Sequence, residues 1–375
     1  MSNKPIPLHA KSHTATERRR AATPAYNGPE RRGEPFAYHV DNEKSRLLKM
    51  LSHSFGAHIG AILEDDRVTE VWLNSDGKLW AKYVGIGKQN TGQTLSAESA
   101  LNAISLVAHH VKFDLSARSP SFAAELPATG WRFQGAIPPQ TPGPAFSIRK
   151  KAARIYTLDE YVSDEIMTGT QCDALRAAVH TRKNILVVGG TETGKTTLVN
   201  AILHEMAKAR DRIITIEDTL ELQNTAEDKE ELRTVNGVRT LHDLLKDALR
   251  MSPDRIVVGE VRGAEVIDML DAWNTGHPGG VCTIHADSAE SSLLRIESLI
   301  RRNNQLPDRE SIARTIQVIV FIAKVKIDTP EGPREVRRVT EIMAVEGVIN
   351  NAYQFRKIAA YSTPKQPTIP IEICH

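Results

Sequence analysis

The sequence predicts an α/β fold: a mainly parallel sheet covered by helices, preceded by a smaller α+β domain. Three observations carry this expectation. From Tyr156 onward the strand-like runs "NILVVGG", "RIITIED", "RIVVGEV" and "GGVCTIHA" alternate with the helix-like segments "TTLVNAILHEMAKA", "LHDLLKDALRM", "AEVIDMLDAW" and "SAESSLLRIESLIRR". Such alternation builds a parallel sheet whose ligand groups sit at the carboxyl ends of the strands. The glycine-rich stretch "GGTETGKTT", Gly189 to Thr197, joins the first of those strands to the first helix. From Val40 to Ile148, by contrast, the pattern is mixed, with short strand-like pieces broken by Pro and Gly around one helix.

Taken in order, residues 1–35 are rich in Arg, Pro, Ala and Thr without apolar periodicity and are expected to form a disordered, mildly basic tail. Residues 36–150 are expected to form the α+β domain. There "VTEVWLN", "SDG" and "KLWAKYVG" spell a hairpin. Ser96 then caps a helix with Ala100, Ile104, Val107 and Val111 on one face. The pieces "FAAELPA", "WRFQGAI" and "AFSIRK" supply further strands. Residues 151–156 are expected to be a linker, 157–350 the P-loop domain and 351–375 a C-terminal extension. Within the P-loop domain, "TIQVIVFIAKVKI" and "REVRRVTEIMAV" predict closing strands around the turn "DTPEGP".

Composition narrows the function classes. The 375 residues hold 48 Lys and Arg against 46 Asp and Glu, a net charge of +2, which is a poor basis for general nucleic-acid binding. No apolar run approaches the roughly 18 to 20 residues that span a bilayer, and the first residues lack the apolar core of a signal peptide. A cytosolic protein is expected. Cys172, Cys282 and Cys374 are odd in number and far apart, so reduced thiols are expected rather than a disulfide framework.

The chemistry is concentrated in four stretches. Gly189-x4-Gly194-Lys195-Thr196 is the P-loop pattern, in its strand-to-helix context. Its glycines let Gly189, Gly190, Thr191, Glu192, Thr193 and Gly194 curl so that amide N–H groups face a phosphate, and the helix opening at Lys195, Thr196 and Thr197 adds its positive end. Lys195 is placed for the β and γ phosphates, and Thr196 for Mg²⁺. ATP and Mg²⁺ are therefore the expected ligands.

The second stretch, "RIITIEDTLEL", brings Glu217 and Asp218 to the same sheet edge. Glu217 is expected to orient water and Asp218 to join the metal shell; helix capping or pairing with a basic residue is the alternative for each. The third, "DRIVVGEVRGAE", ends its strand in Glu260, a second acid for the metal, followed by Arg262. The fourth, "GHPGGVCTIHADSA", ends its strand in His285, within reach of a γ-phosphate. A zinc site at His277, Cys282 and His285 is disfavoured, because Cys282 and His285 face opposite sides of a strand and no fourth ligand is evident.

In this order, "GGTETGKTT", "IEDTLEL", "DRIVVGEVRGAE" and "GHPGGVCTIHADSA" resemble the Walker A, Asp box, Walker B and His box of the secretion traffic ATPases. That superfamily serves type II and type IV secretion, type IV pili and conjugation. The resemblance runs from about Thr157 to Val345 and is nearest to the conjugative, type IV branch. It implies a RecA-like P-loop ATPase domain behind a smaller N-terminal α+β domain, and a homo-hexameric motor driven by domain rotation. It also implies partners in inner-membrane secretion or conjugation machinery, a peripheral place on the cytoplasmic face of that membrane, and no direct sequence-specific nucleic-acid contact. Through "GWRFQGAIPPQTPGPAFSIRKKA" it makes Arg132 and Arg149 candidates for arginines lent to the nucleotide; salt bridging within their own domain is the alternative.

Two other functions stay open on the sequence, a nucleic-acid motor and a nucleotide-gated scaffold with little turnover. Glu192 keeps the second alive, because the family usually has Gly there. A solvent-open carboxylate ~8 Å from phosphate opposes binding by about 0.5 kcal/mol in water. A left-handed backbone at a non-Gly residue adds roughly 1 to 2 kcal/mol. Glu192 is expected to tune affinity or product release, and to meet Arg132 or Arg149 across the domain cleft.

Overall fold

The computed structural model describes residues 51, 57–126, 129–151, 154–235, 237–329 and 332–361. The basic tail expected over 1–35, the thiol of Cys374 and residues 362–375 of the expected C-terminal extension lie outside the described residues.

After a short helix α1 (Ala57–Glu64), the first sheet is built from β1 (Val68–Leu73), β2 (Lys78–Tyr83), β3 (Gly87–Thr94), β4 (Ser121–Glu125), β5 (Arg132–Ala136) and β6 (Ala145–Arg149). Its order is β3-β2-β1-β6-β5-β4, and every pairing is antiparallel. The expected hairpin turns at Gly77, whose φ of 79° suits glycine alone, since a Cβ there would lie 2.8 Å from the Leu95 carbonyl oxygen. Helix α2 (Ala97–His110) is capped by Ser96, which accepts from the Ser99 amide, and buries Ala100, Ile104 and Val107. Val111, expected on that face, is the C-cap residue and exposed. The sheet's inner face carries Val71, Leu79, Phe133 and Ile148, with Phe122, Phe133 and Phe146 spaced 5.8 Å apart in sequence along the core. One side chain thickness is missing at Gly135, where a Cβ would press on Phe133 and Ile104.

The second sheet holds β7 (Ile185–Val188), β8 (Ile213–Glu217), β9 (Lys229–Arg233), β10 (Arg255–Glu260), β11 (Val281–Ile284), β12 (Val318–Thr329), β13 (Gly332–Ile349) and β14 (Ala352–Ala360). The order is β14-β13-β12-β7-β11-β10-β8-β9. From β12 to β9 all neighbours are parallel, whereas β12, β13 and β14 form an antiparallel meander. Strands β7 and β11 are buried at every position, the continuous apolar run expected of a sheet covered on both faces. Helices α3 (Leu158–Ser163), α4 (Gly169–His180) and α5 (Lys195–Met206) pack on one face around Leu158, Leu175, Leu198 and Ile202. Helices α6 (Leu241–Ala248), α7 (Glu265–Asn274), α8 (Ala289–Arg302) and α9 (Arg309–Thr315) cover the other around Leu245, Met269, Leu293 and Ile312. Capping boxes at Thr157/Glu160, Thr168/Gln171, Thr240/Asp243 and Ser288/Ser291 start α3, α4, α6 and α8. Strand β7 sits between β11 and β12, far from its sequence neighbour β8, so the loop after it opens at a topological switch point. This is the RecA-like arrangement. Both sheets fall in one compact unit.

Two elements differ from the sequence expectation. Residues 352–360, placed in a C-terminal extension, form β14 and pair with β13 from Glu341 to Ile349. Their signal is the turn: Asn350 and Asn351 both have positive φ, 49° and 61°, as a two-residue type I′ hairpin requires. Tyr353 and Phe355 then pack on the apolar cluster around Met343. Strand β9, "KEELR", is polar at nearly every position because it closes the sheet edge, where charge discourages further pairing.

The tightest packing in the second sheet lies where β11 begins. A Cβ on Gly280 would sit 2.7 Å from the Ile256 carbonyl oxygen and nearer still to the Trp273 indole, which itself donates to that carbonyl at 3.0 Å. Gly280→Ala is expected to cost roughly 2 kcal/mol or more of unfolding free energy through overpacking, read as a lowered urea midpoint at unchanged m-value.

Candidate nucleotide site

Strand β7 delivers the loop. Gly189 follows it directly, and a Cβ there would lie 2.7 Å from Thr193 Oγ1 and closer still to the Ile322 carbonyl oxygen of β12. Only glycine fits. Gly194 has a φ of 99° and serves as the N-cap residue of α5, so its backbone turns the chain into the helix without a side-chain cap. Thr193 Oγ1 donates to the Gly190 carbonyl at 3.0 Å and braces the curl from inside. Lys195 is buried, and its Nζ donates to the Gly189 and Gly190 carbonyls at 3.0 and 2.8 Å. Burial lowers its pKa to about 8, with the neighbouring Arg149 and Arg262 charges adding to the effect and Glu260 opposing it. Thr196 and Thr197 follow on the first turn of α5, Thr191 is exposed at the loop crest, and Glu192 has a φ of 61°.

Strand β8 ends in Glu217, which is 4% exposed. Its carboxylate accepts from the Glu221 amide at 2.9 Å and the Leu222 amide at 3.0 Å. Glycine at 259 makes room, since a Cβ there would meet Glu217 Cγ at 2.9 Å. Asn200, one turn into α5, holds the same loop from the other side, donating to the Glu221 carbonyl at 3.3 Å and accepting from the Gln223 amide at 2.8 Å. The loop is thereby fixed with the Glu221 side chain pointing back. Thr196 Oγ1 donates to Glu221 Oε2 at 3.4 Å, and Arg132 Nη1 of the first sheet lies 3.0 Å from Glu221 Oε1.

Strand β10 ends in Glu260, and His285 directly follows β11. Glu260 Oε1 lies 3.1 Å from His285 Nε2, and Glu260 Oε2 accepts from Arg262 at 2.5 Å. His285 Nδ1 is 3.3 Å from Lys195 Nζ. Burial and then the Lys195 charge hold the imidazole below its ordinary pKa, while Glu260 opposes them. Lys195, His285 and Glu260 therefore form one connected chain across the ends of three strands.

The expected acids divide differently from the sequence reading. Glu217, expected to orient water, has its oxygens turned to two backbone amides, because a buried carboxylate needs donors and the loop supplies them. Asp218, expected in the metal shell, has Thr234 at 3.4 Å and Arg262 at 3.9 Å as its described partners, and lines an adjoining groove with Gly263 and Glu265. Glu221 takes the place beside Thr196. Its signal was present in "IEDTLEL", four residues beyond Glu217, but only the folded loop singles it out. Arg132, a candidate for an arginine lent to the nucleotide, forms an ion pair with Glu221 of the second sheet's loop rather than within its own domain. Arg149 stands exposed near Lys195 and Glu192, whose pKa values its charge lowers, and carries no ion pair among the described residues. Glu192 meets neither arginine directly: its carboxylate pairs with Lys82 of β2 and, at 3.7 Å, with Lys324 of β12. His277 Nδ1 bonds the Pro253 carbonyl at 2.9 Å, and Cys282 is fully buried on the opposite side of β11 from the site.

A parallel RecA-like sheet with a P-loop after its central strand, and acids and a histidine at the ends of the strands beside it, defines the class of P-loop proteins. The chain belongs to the type II/IV secretion system protein family, which matches residues 114–346. It is 41% identical over 311 residues to a probable conjugal transfer protein TrbB of Sinorhizobium fredii, covering 82% of this chain and 93% of that one. It is 33% identical over 321 residues to the type IV secretion system protein PtlH of Bordetella pertussis, over 75% of this chain and 91% of the relative. The crystal structure of the pilus retraction motor PilT with bound ADP shares the fold, with a TM-score of 0.55 over 77% of this chain and 81% of that one at 19% identity. Among the described residues, no helix is long and apolar enough to cross a membrane.

Burial pushes the Glu217 carboxyl up to about 7 from its ordinary 4.5, outweighing the amide bonds that favour the charged form. Between those two values the folded chain keeps a proton that the unfolded chain releases, so this stabilisation is complete below pH 4.5 and lost as pH rises through 7. Glu217→Gln is expected to flatten the stability profile across that window. The change relative to wild type in urea unfolding has a ceiling of about 3 kcal/mol.

Proposed function

We propose that this protein is an ATP-hydrolysing motor that energises conjugative DNA transfer or another type IV secretion process. The observation that carries the reading is the convergence of Lys195, Thr196, Glu221, Glu260 and His285 at the carboxyl edge of four parallel strands. The relatives' names, conjugal transfer and type IV secretion, supply the process.

The residues fit MgATP. Gly189 leaves a backbone concavity that a Cβ would fill, the N-terminus of α5 faces it, and Lys195 is already inside. Thr196 and Glu260 would hold Mg²⁺, which when bound neutralises phosphate charge. Lys195 releases its loop carbonyls for phosphate oxygens. Glu221, already beside Thr196 and Arg132, takes the role of orienting the attacking water and accepting its proton, and Glu217 acts through the loop that positions it. His285, 3.1 Å from Glu260 Oε1 and beside Lys195, reports the γ-phosphate position to the Walker B acid. Arg132 and Arg149 bring positive charge from the first sheet to where negative charge develops, an effect worth ~10³ to 10⁵ in rate for a well-placed arginine. In this reading the chain works as a homo-hexamer, peripheral to the cytoplasmic face of the inner membrane and docked on secretion machinery there. The coupling of hydrolysis to movement is a swing of the first sheet against the second.

Steady-state phosphate release tests this. Lys195→Ala should fall to background. Glu221→Gln should retain nucleotide binding while turnover drops by about 10²-fold, the usual scale for a lost general base. Glu217→Gln should lower turnover less, because the carboxamide oxygen still accepts from the loop. Normal turnover in Lys195→Ala would overturn the ATPase reading, and normal turnover in Glu221→Gln would move the base elsewhere. Native mass measurement with nucleotide should give six chains.

A further inference from the structure

The outer face of the first sheet carries one row of charged side chains that crosses all six strands in register. Lys88 pairs across to Lys82, Lys82 to Glu70, Glu70 to Arg149, Arg149 to Arg132, and Arg132 to Glu125. Three members of this row reach the second sheet. Glu125 pairs with Arg233 of β9, Arg132 with Glu221, and Lys82 with Glu192. The row therefore lies along the carboxyl edge of the parallel strands, tied near both ends and in between.

Glu192 is the unexpected member of this set. A left-handed backbone at a residue other than Gly, Asn or Asp is disfavoured, and Glu192 holds a φ of 61° on the crest of the cradle. Several groups fix it there. Its carboxylate pairs with Lys82 and Lys324, its carbonyl accepts from Arg337 Nε at 3.3 Å, and Arg337 Cδ would lie 3.4 Å from a Cβ on Gly194. The Lys82 side chain is 20% exposed and that of Glu192 32%, so the pair is shielded in part from solvent and salt. Lys82 and Lys324 come from different sheets, and Glu192 is the group that both contact.

We propose that Glu192 is the catch of an interdomain latch, gripping Lys82 so that the first sheet is seated on the phosphate loop with Arg149 held over it. Arg149 lies in the row between Lys82 and Arg132, the two positions tied to the second sheet on either side of the cradle. Seating the row therefore seats Arg149 without any ion pair of its own. Glu192 is a positioning residue: it orders the sheet that delivers the arginine and does not itself act on the phosphate. The carboxylate in a phosphate cradle is in this sense an internal counter-ion, set where glycine would leave Lys82 without this ion pair, whereas Lys324 would keep Glu335 at 3.8 Å. Its consequence for Arg149 rests on the nucleotide reading above; the latch does not.

The latch is tested without nucleotide. Spin labels at Leu101→Cys on α2 and Leu294→Cys on α8, both exposed in the wild type, report the separation of the two sheets in a Cys374→Ser background. Labelled chains are diluted into unlabelled protein so that each assembly carries at most one. Glu192→Gln and Lys82→Gln should each broaden the distance distribution toward longer values, and the double variant should do no more than either alone. Lys82→Arg, which keeps the cation, should keep the wild-type distribution, whereas a role for the Lys82 stem alone would let Lys82→Gln keep it as well. Unchanged distances in both Gln variants, additive effects, or distances in Lys82→Arg as long as in Lys82→Gln would each overturn the latch. Lys195→Ala should leave the distances intact while losing nucleotide. If wild type binds no MgADP yet the distances lengthen in both Gln variants and not in Lys82→Arg, the functional reading fails and the latch stands.

Discussion

The carbonyl oxygen of Ile322 on β12 lies where any side chain on Gly189 would have to go. That close approach fixes much of what surrounds it. It requires glycine at the start of the loop, it keeps the loop against the edge of β12, and it places Lys324, two residues farther along that strand, beside the crest of the cradle. The parallel pairing of β7 with β12, from Ile185 opposite Val318 to Val188 opposite Phe321, ends just before this point. Beyond it β12 continues with β13 alone, and this two-stranded ribbon brings Arg337 to the loop. The phosphate cradle is thus braced by β12 and β13, strands that come more than 100 residues later in the sequence.

A second constraint acts through the loop after β8. Glu217 is buried and protonated more readily than an ordinary carboxylic acid, yet it faces two amide donors. Those donors belong to Glu221 and Leu222, so the carboxyl group shapes the backbone that aims Glu221 at Thr196. Asn200 completes the grip from α5, the helix that also carries Lys195 and Thr196. Walker A and Asp box are joined here as one mechanical piece. Asn200 ties α5 to the backbone that carries Glu221.

The parallel sheet, the P-loop, the Ser96 cap and the acids and histidine at the strand ends were legible because each has a local signature: an apolar run, a glycine spacing, a capping residue, a charge at a strand end. Which acid meets which group was not. Glu217, Asp218 and Glu221 lie within five positions of one another, and which one faces Thr196 depends on how the loop folds back on its own amides. The Asn350–Asn351 turn was a missed local signal, and without it β14 passed for an extension. Strand β9 was obscured because an edge strand needs little apolar content. Lys82, Lys324 and Arg337 are illegible in principle from single stretches, since each meets Glu192 from a segment more than 100 residues away.

The seam between the two sheets has a particular character. Its described ties are ion pairs, Lys82 with Glu192, Arg132 with Glu221 and Arg233 with Glu125, while the apolar clusters of the two sheets share no residue. Parting these ion pairs wets charge that water solvates well. The swing proposed above would open the seam there with neither apolar core broken.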